Sequence, residues 1–200
     1  SSIFDFPVNF VLRDVLCEDK SFEFLASRFE DDNKYKDPYN MVSLLDNHDL
    51  PRFIDLCKNK LEKMNLGIAF IFLSRGIPSL YYGSEIPLHG IKEPENRSDM
   101  TFDISKMKFF EFIKRLISEK KSNQALKEGM QKILVANKDL YLFERISERN
   151  LSLAVFNKSE GTKEIKINIF PAAINGRFIS IFNEPLYVNN SEINLQIKGN

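Results

Sequence analysis

The sequence predicts an α/β layer built from strand–helix units, followed by an antiparallel β-sandwich. Three observations predict it. Up to residue 123, apolar runs short enough for buried strands alternate with stretches in which apolar residues recur at helical spacing. Beyond Asn123 the texture changes to short segments that alternate apolar and polar residues, with turn signals between them. The run Met41-Val42-Ser43-Leu44-Leu45 stops abruptly in Asp46-Asn47-His48-Asp49. A buried strand has no structural need for polar side chains at its end, whereas the catalytic rim of an α/β barrel places them at strand C-termini.

Each element follows in order. Residues 3–6 form a short apolar run halted by Pro7, a weak strand. Val8, Val11, Leu12, Val15 and Leu16 have helical spacing, and Ser21 starts a second helix through Phe29. Asp31-Asp32-Asn33-Lys34 is a polar loop, and the strand over 39–46 comes next. Ile54, Leu56, Leu61, Met64, Leu66, Ile68, Phe70 and Ile71 predict one long helix over 53–73, with Gly76 closing it in the C-cap role. Residues 78–82 read as a strand. The stretch 83–100 holds Pro87, Gly90 and Pro94 and few apolar residues, a long loop of the kind that carries function. A helix is expected over 106–117, with Phe109, Phe110, Ile113, Leu116 and Ile117 on one face. This order implies a parallel sheet with right-handed crossovers. Six antiparallel strands are expected over 132–136, 140–146, 151–156, 164–169, 178–182 and 192–197. The expected domains are therefore 1–123 and 124–200. Three strand–helix units cannot close a barrel, which takes eight. The first domain is either a small open layer or the last part of a larger barrel.

Composition narrows the partners. Acidic and basic residues balance at 28 each, so neither nucleic acid nor an anionic membrane surface is an expected partner. The longest apolar stretch, 66–73, is too short to span a bilayer. The only two cysteines, Cys17 and Cys57, lack the number and spacing of a disulfide framework or zinc site and read as buried free thiols. No secretory signal opens the chain, which reads as starting mid-fold, and the expected compartment is the cytoplasm.

The polar strand end has a wider context. Ser43-Leu44-Leu45-Asp46-Asn47-His48-Asp49 resembles the fourth conserved sequence region of the α-amylase family of glycoside hydrolases. Gly76-Ile77-Pro78-Ser79-Leu80-Tyr81-Tyr82-Gly83-Ser84-Glu85 is similar to that family's eighth barrel strand, and Asn96-Arg97-Ser98-Asp99-Met100 resembles the segment after it, especially in neopullulanase- and cyclomaltodextrinase-like members. Asp5-Phe6-Pro7 fits the sixth strand, and Asn123-Gln124-Ala125-Leu126 with Gly129 resembles the entry into the C-terminal β-domain. A tripeptide recurs by chance; two blocks one helix apart, in order, do not.

The resemblance implies that 1–123 is the last strand–helix portion of a TIM (β/α)8 barrel and 124–200 a C-terminal β-sandwich. It implies a parent protein that is a retaining hydrolase or transglycosylase acting on α-1,4 or α-1,6 bonds of α-glucan oligosaccharides. Asp49 matches the family's transition-state-stabilising aspartate. A third carboxylate beside the covalent and proton-transferring pair can bond sugar hydroxyls more tightly as the ring distorts. His48 would donate to hydroxyls beside the scissile bond and Asn47 would position both neighbours. Arg97 and Glu93 fall where members hold a sugar deeper in the cleft, although Glu stands where Asp is expected. The family's nucleophile and general acid lie on its fourth and fifth strands, and neither strand is in these residues, so this chain alone is expected to be inactive. No organic cofactor is implied; calcium occurs in parts of the family, and no calcium loop is seen here. The open flank of the sheet is expected to drive self-association.

Plainer readings stand beside these. Asp49 can serve as a loop carboxylate before a helix, His48 as a structural histidine, and Arg97 as the partner of Glu93 or Glu95. Asp46 suits either role, and Tyr82 suits either a sugar platform or packing. His89 has no second histidine nearby, against a metal site. The alternative for the whole is a non-catalytic carbohydrate-binding or structural protein that keeps the barrel without catalytic residues.

Overall fold

Asp5 starts the first helix. Its carboxylate accepts from the Val8 N–H at 3.2 Å, and Pro7 follows inside the first turn, where its missing N–H costs nothing. The computed structural model describes residues 2–102, 107–148, 150–168, 176–179, 185–188 and 192–198. Helices α1 (Phe6–Leu16) and α2 (Glu23–Glu30) lead into strand β1 (Val42–Leu44). Helices α3 (Phe53–Leu56) and α4 (Leu61–Leu73), strand β2 (Ile77–Ser79), and helices α5 (Met107–Ser122) and α6 (Gln124–Glu128) follow.

β1 pairs with β2 in parallel, Val42 opposite Ile77 and Leu44 opposite Ser79. The weak first strand is reduced to one parallel bridge, Phe4 to Val42. The expected parallel order thus survives, with β1 in the middle. The single helix expected over 53–73 is two. Lys58 and Asn59 take left-handed φ values of 56° and 62°, which break the hydrogen-bond ladder in the polar gap between Leu56 and Leu61. α4 then buries Met64, Ile68, Phe70 and Ile71. Gly67 lets it lie close on the strand, since a Cβ there would stand 3.0 Å from the Phe53 ring and 3.1 Å from Leu45. The C-cap of α4 is Ser74; Gly76, at φ +96°, instead turns the chain into β2.

Cys17 and Cys57 are a disulfide, which corrects the expectation of free thiols. Both are buried and both cap helix C-termini, those of α1 and α3, whose Cα atoms come within 4.3 Å. Spacing along the sequence could not reveal that two helix ends converge. The bridge closes a loop 40 residues apart in sequence, and its reduction is expected to lower stability by roughly 2 to 4 kcal/mol. Urea midpoints with and without dithiothreitol read this directly; coincident curves would rule the bridge out.

Strands β3 (Met130–Ala136), β4 (Leu140–Ile146) and β5 (Leu151–Asn157) form an antiparallel sheet in that order. Phe70 of α4 meets Tyr141, Phe143 and Phe156, with ring centroids 6.0, 6.2 and 5.7 Å away. The texture change at Asn123 marks the passage from helices to strands, but the compact units divide later, into Ser1–Phe156 and Asn157–Asn200. This aromatic packing joins the first antiparallel sheet to α4. In the second unit β6 (Lys163–Asn168) pairs with β9 (Glu192–Ile197), and β7 (Gly176–Ile179) with β8 (Pro185–Val188). β8 had no forerunner in the sequence reading. Residues 169 and 180–182 of the expected strands, and residue 106 of the expected helix, lie outside the described residues.

Lys120 of α5 donates to the Ser74 carbonyl at 3.1 Å, at the end of α4. Burial, with Arg145 nearby, pushes its ammonium down to about 7 from an ordinary value of 10.5. Between those values the folded chain binds fewer protons than the unfolded chain, so the penalty of burying the charge is full below pH 7 and fades as pH rises. Lys120→Met is therefore expected to be more stable than wild type at pH 6, with the gap closing by about pH 10. Paired urea titrations across that range check it; a gap that is constant or widens with pH would contradict it.

Candidate active site

β1 and β2 run parallel and end on the same rim, so the turn after β1 and the loop over 83–100 rise side by side. Within the turn, the Asn47 side-chain oxygen accepts from the Asp49 N–H at 2.9 Å. His48 Nε2 lies 3.2 Å from one Asp49 oxygen, and the Arg97 guanidinium lies 3.5 Å from the other. Arg97 also forms an ion pair with Glu93 and donates from Nε to the His48 carbonyl at 3.0 Å. The five residues singled out in the sequence thus meet in one cluster. Asp49 is 66% exposed and His48 61% exposed, so the carboxylate opens to solvent and is not buried against a neighbour.

Asp46 lies beneath the cluster, buried. Its carboxylate accepts from the Phe53 N–H at 2.9 Å and from the Ser84 hydroxyl at 3.0 Å. Burial raises its pKa above the ordinary value despite those bonds. Its role is structural: it ties the end of β1 to the start of α3 and to the loop after β2. Arg52 is also buried. It donates to the Tyr82 carbonyl at 2.7 Å, and its guanidinium lies 4.2 Å from the Tyr81 ring centroid and 5.0 Å from that of Tyr82. Tyr82 in turn donates its hydroxyl to the Ser98 carbonyl at 2.9 Å. Asp55 accepts from the Gly90 N–H at 2.6 Å and meets His89 Nδ1 at 2.6 Å.

Two asparagines complete the arrangement. Asn96 donates to the carbonyls of His48 and Leu50 at 2.9 and 3.2 Å. Asn9 of α1 donates to those of Leu44 and Leu45 at 3.0 and 2.7 Å. The sequence reading missed Asn9, Arg52, Asp55 and Asn96. Asn9 carried a signal: it sits on the buried face of α1 beside Val8 and Leu12, where a polar residue needs a partner. Chemically, the cluster presents an exposed carboxylate between an imidazole and a guanidinium. That set of acceptors and donors suits the vicinal hydroxyls of a sugar.

Comparison with known proteins identifies the family. The alpha-amylase catalytic-domain model matches residues 20–132. The Beta/alpha-amylase of Paenibacillus polymyxa is 26% identical over 96% of this chain and 17% of its own length. The cyclomaltodextrin glucanotransferase of Bacillus sp. (strain 1-1) is 30% identical over 82% of this chain and 24% of its own. The chain thus spans a quarter or less of these curated relatives. Among solved structures, a cyclomaltodextrin glucanotransferase with a three-domain ABC distribution superposes with a TM-score of 0.87 at 32% identity, over 98% of this chain and 42% of that one. The alpha-amylase from Geobacillus thermoleovorans, complexed with acarbose, superposes with a TM-score of 0.90 over the whole of this chain and 46% of that one; at 21% identity that likeness speaks for the fold.

Proposed function

We propose a function from one premise, that this chain belongs to the α-amylase family: it is the C-terminal portion of a retaining α-glucan hydrolase or transglycosylase. The observation that carries the reading is the cluster at the end of β1, an exposed Asp49 carboxylate held between His48 and Arg97. In this reading residues 1–123 end a barrel and 124–200 form a C-terminal β-sandwich. Asp49 bonds the hydroxyls of the distorting sugar, and its grip tightens as the oxocarbenium-like state forms. His48 donates to a neighbouring hydroxyl, and Arg97, steadied by Glu93, binds a sugar further along. Asn47 holds the Asp49 backbone so that the carboxylate faces the cleft. The nucleophile and the general acid come from strands outside these residues.

The setting shifts with the disulfide. A buried Cys17–Cys57 bridge is retained where thiols are not kept reduced, which favours an oxidising compartment over the cytoplasm expected above. Ile3, Phe4 and Phe10 are each about half exposed, which supports self-association of the chain when it is isolated.

One set of assays tests the proposal. The complete protein carrying this sequence is given soluble starch, pullulan and cyclodextrins, and the purified 200 residues are assayed and sized by light scattering in parallel. Cleavage or transfer by the complete protein is expected, with no turnover and an associated state for the isolated chain. Glucan binding without turnover by the complete protein would favour the non-catalytic alternative. Turnover by the isolated chain would refute the assignment of the reacting pair to other strands.

A further inference from the structure

We infer that Asn9 and Asn96 are positioning residues that hold the Asn47-His48-Asp49 turn by its backbone; the inference rests on the glucan-cleaving role proposed above. Sheet pairing ends at Leu44, opposite Ser79, so the carbonyls that follow have no strand partner. A buried carbonyl without a donor is costly, and a carboxamide carries two N–H donors that can span two carbonyls. Asn9, 1% exposed, takes those of Leu44 and Leu45; Asn96, 3% exposed, takes those of His48 and Leu50. The turn that aims the carboxylate is therefore gripped before and after Asp46 by two side chains from separate elements, α1 and the loop over 83–100.

Asn96 is itself fixed from behind. Gly90, at φ +150°, lies so close that a Cβ there would stand 2.3 Å from the Asn96 nitrogen. Gly90 is anchored at both ends of its peptide groups: its carbonyl accepts from the Arg52 N–H at 2.8 Å, and its N–H donates to Asp55 at 2.6 Å. Close packing and hydrogen bonds thus connect α3, through Gly90 and Asn96, to the His48 carbonyl, which Arg97 shares. Asn96 touches no reacting group in this arrangement. It acts through His48 and Asp49, whose exposed side chains have few other restraints.

The test uses the complete protein. Asn96→Ala is expected to lower kcat on an α-glucan by about 10-fold to 100-fold, with KM changed by less than about threefold, because misaligning a catalytic group weakens the transition state more than the ground state. Asn96→Asp, which keeps the shape and removes both donors, should do the same and covers the case in which the alanine variant folds poorly. Amide hydrogen exchange over residues 46–50 should quicken in both. The control is Asn123→Ala, which removes the cap of α6, where the side chain accepts from Ala125 N–H at 3.0 Å and Leu126 N–H at 3.4 Å. It should lower the melting temperature yet leave kcat and the exchange of 46–50 unchanged. Unchanged exchange in the Asn96 variants, or a kcat no lower than the control's, would overturn the inference. If the wild-type protein cleaves no glucan, the proposed function falls, and the exchange experiment still decides whether the turn is held as described. Asn9→Ala is expected to quicken exchange from residue 46 onward in the same way.

Discussion

In the complete protein, Asp49→Asn is expected to lower kcat on an α-glucan by about 100-fold or more, the usual effect of removing a group that stabilises developing charge. KM changes less, because the lost interaction is made chiefly in the transition state. The substitution keeps the size of the side chain and removes its charge. Asp49 is 66% exposed and contacts His48 and Arg97 at long ion-pair distances, so the variant should fold with stability within about 0.5 kcal/mol of wild type. That separation gives the measurement its force: activity falls while the urea midpoint stays. If kcat remains within about threefold, Asp49 is a loop carboxylate and the reading of the rim fails.

Much of this site was legible in the sequence because its chemistry is local. Asn47, His48 and Asp49 are consecutive, and Arg97 and Glu93 sit four apart on one loop, so residue type and order suffice to suspect them. The elements around them were legible for the same reason: β4 and β9 fall where alternation places them. What escaped was long-range. The Cys17–Cys57 bridge, the Asn9 and Asn96 grips and the Phe70 aromatic packing each join positions dozens of residues apart, and no periodicity encodes such a meeting. Lys58 and Asn59 escaped differently. Apolar spacing continues in phase across them, and only their left-handed backbone divides the helix. The compact units divide past Asn123, and side chains distant in sequence, Phe70 and Phe22 among them, pack the first antiparallel sheet on the helices.

The largest expected loss of stability lies at Arg75, which the sequence offered only as the residue before a helix-ending glycine. It is 1% exposed and lies between two carboxylates, donating to Asp5 at 2.7 Å and to Asp32 at 2.6 Å, with its guanidinium 4.7 Å from the Phe29 ring centroid. Asp5 is wholly buried, caps α1, and donates its backbone N–H to Val42 of β1 at 2.8 Å. Its second cation, Arg28, stands 3.6 Å away and covers the Tyr35 ring. The four side chains balance as two positive and two negative charges. Arg75→Met removes one cation and leaves the buried Asp5 carboxylate with the Val8 N–H and a single, more distant cation, Arg28, which costs roughly 3 to 5 kcal/mol. Arg75→Lys keeps the charge but cannot reach both carboxylates with a planar fork, so it should fall between wild type and the methionine variant. The double variant Arg75→Met with Asp5→Asn should lose less than the sum of the two single losses, since the uncompensated charge is gone. Urea unfolding of wild type, the three single variants and the double variant measures all of this, and additive losses, or a methionine variant within about 1 kcal/mol of wild type, would mean that the charges are screened by water and the cluster is not a buried network.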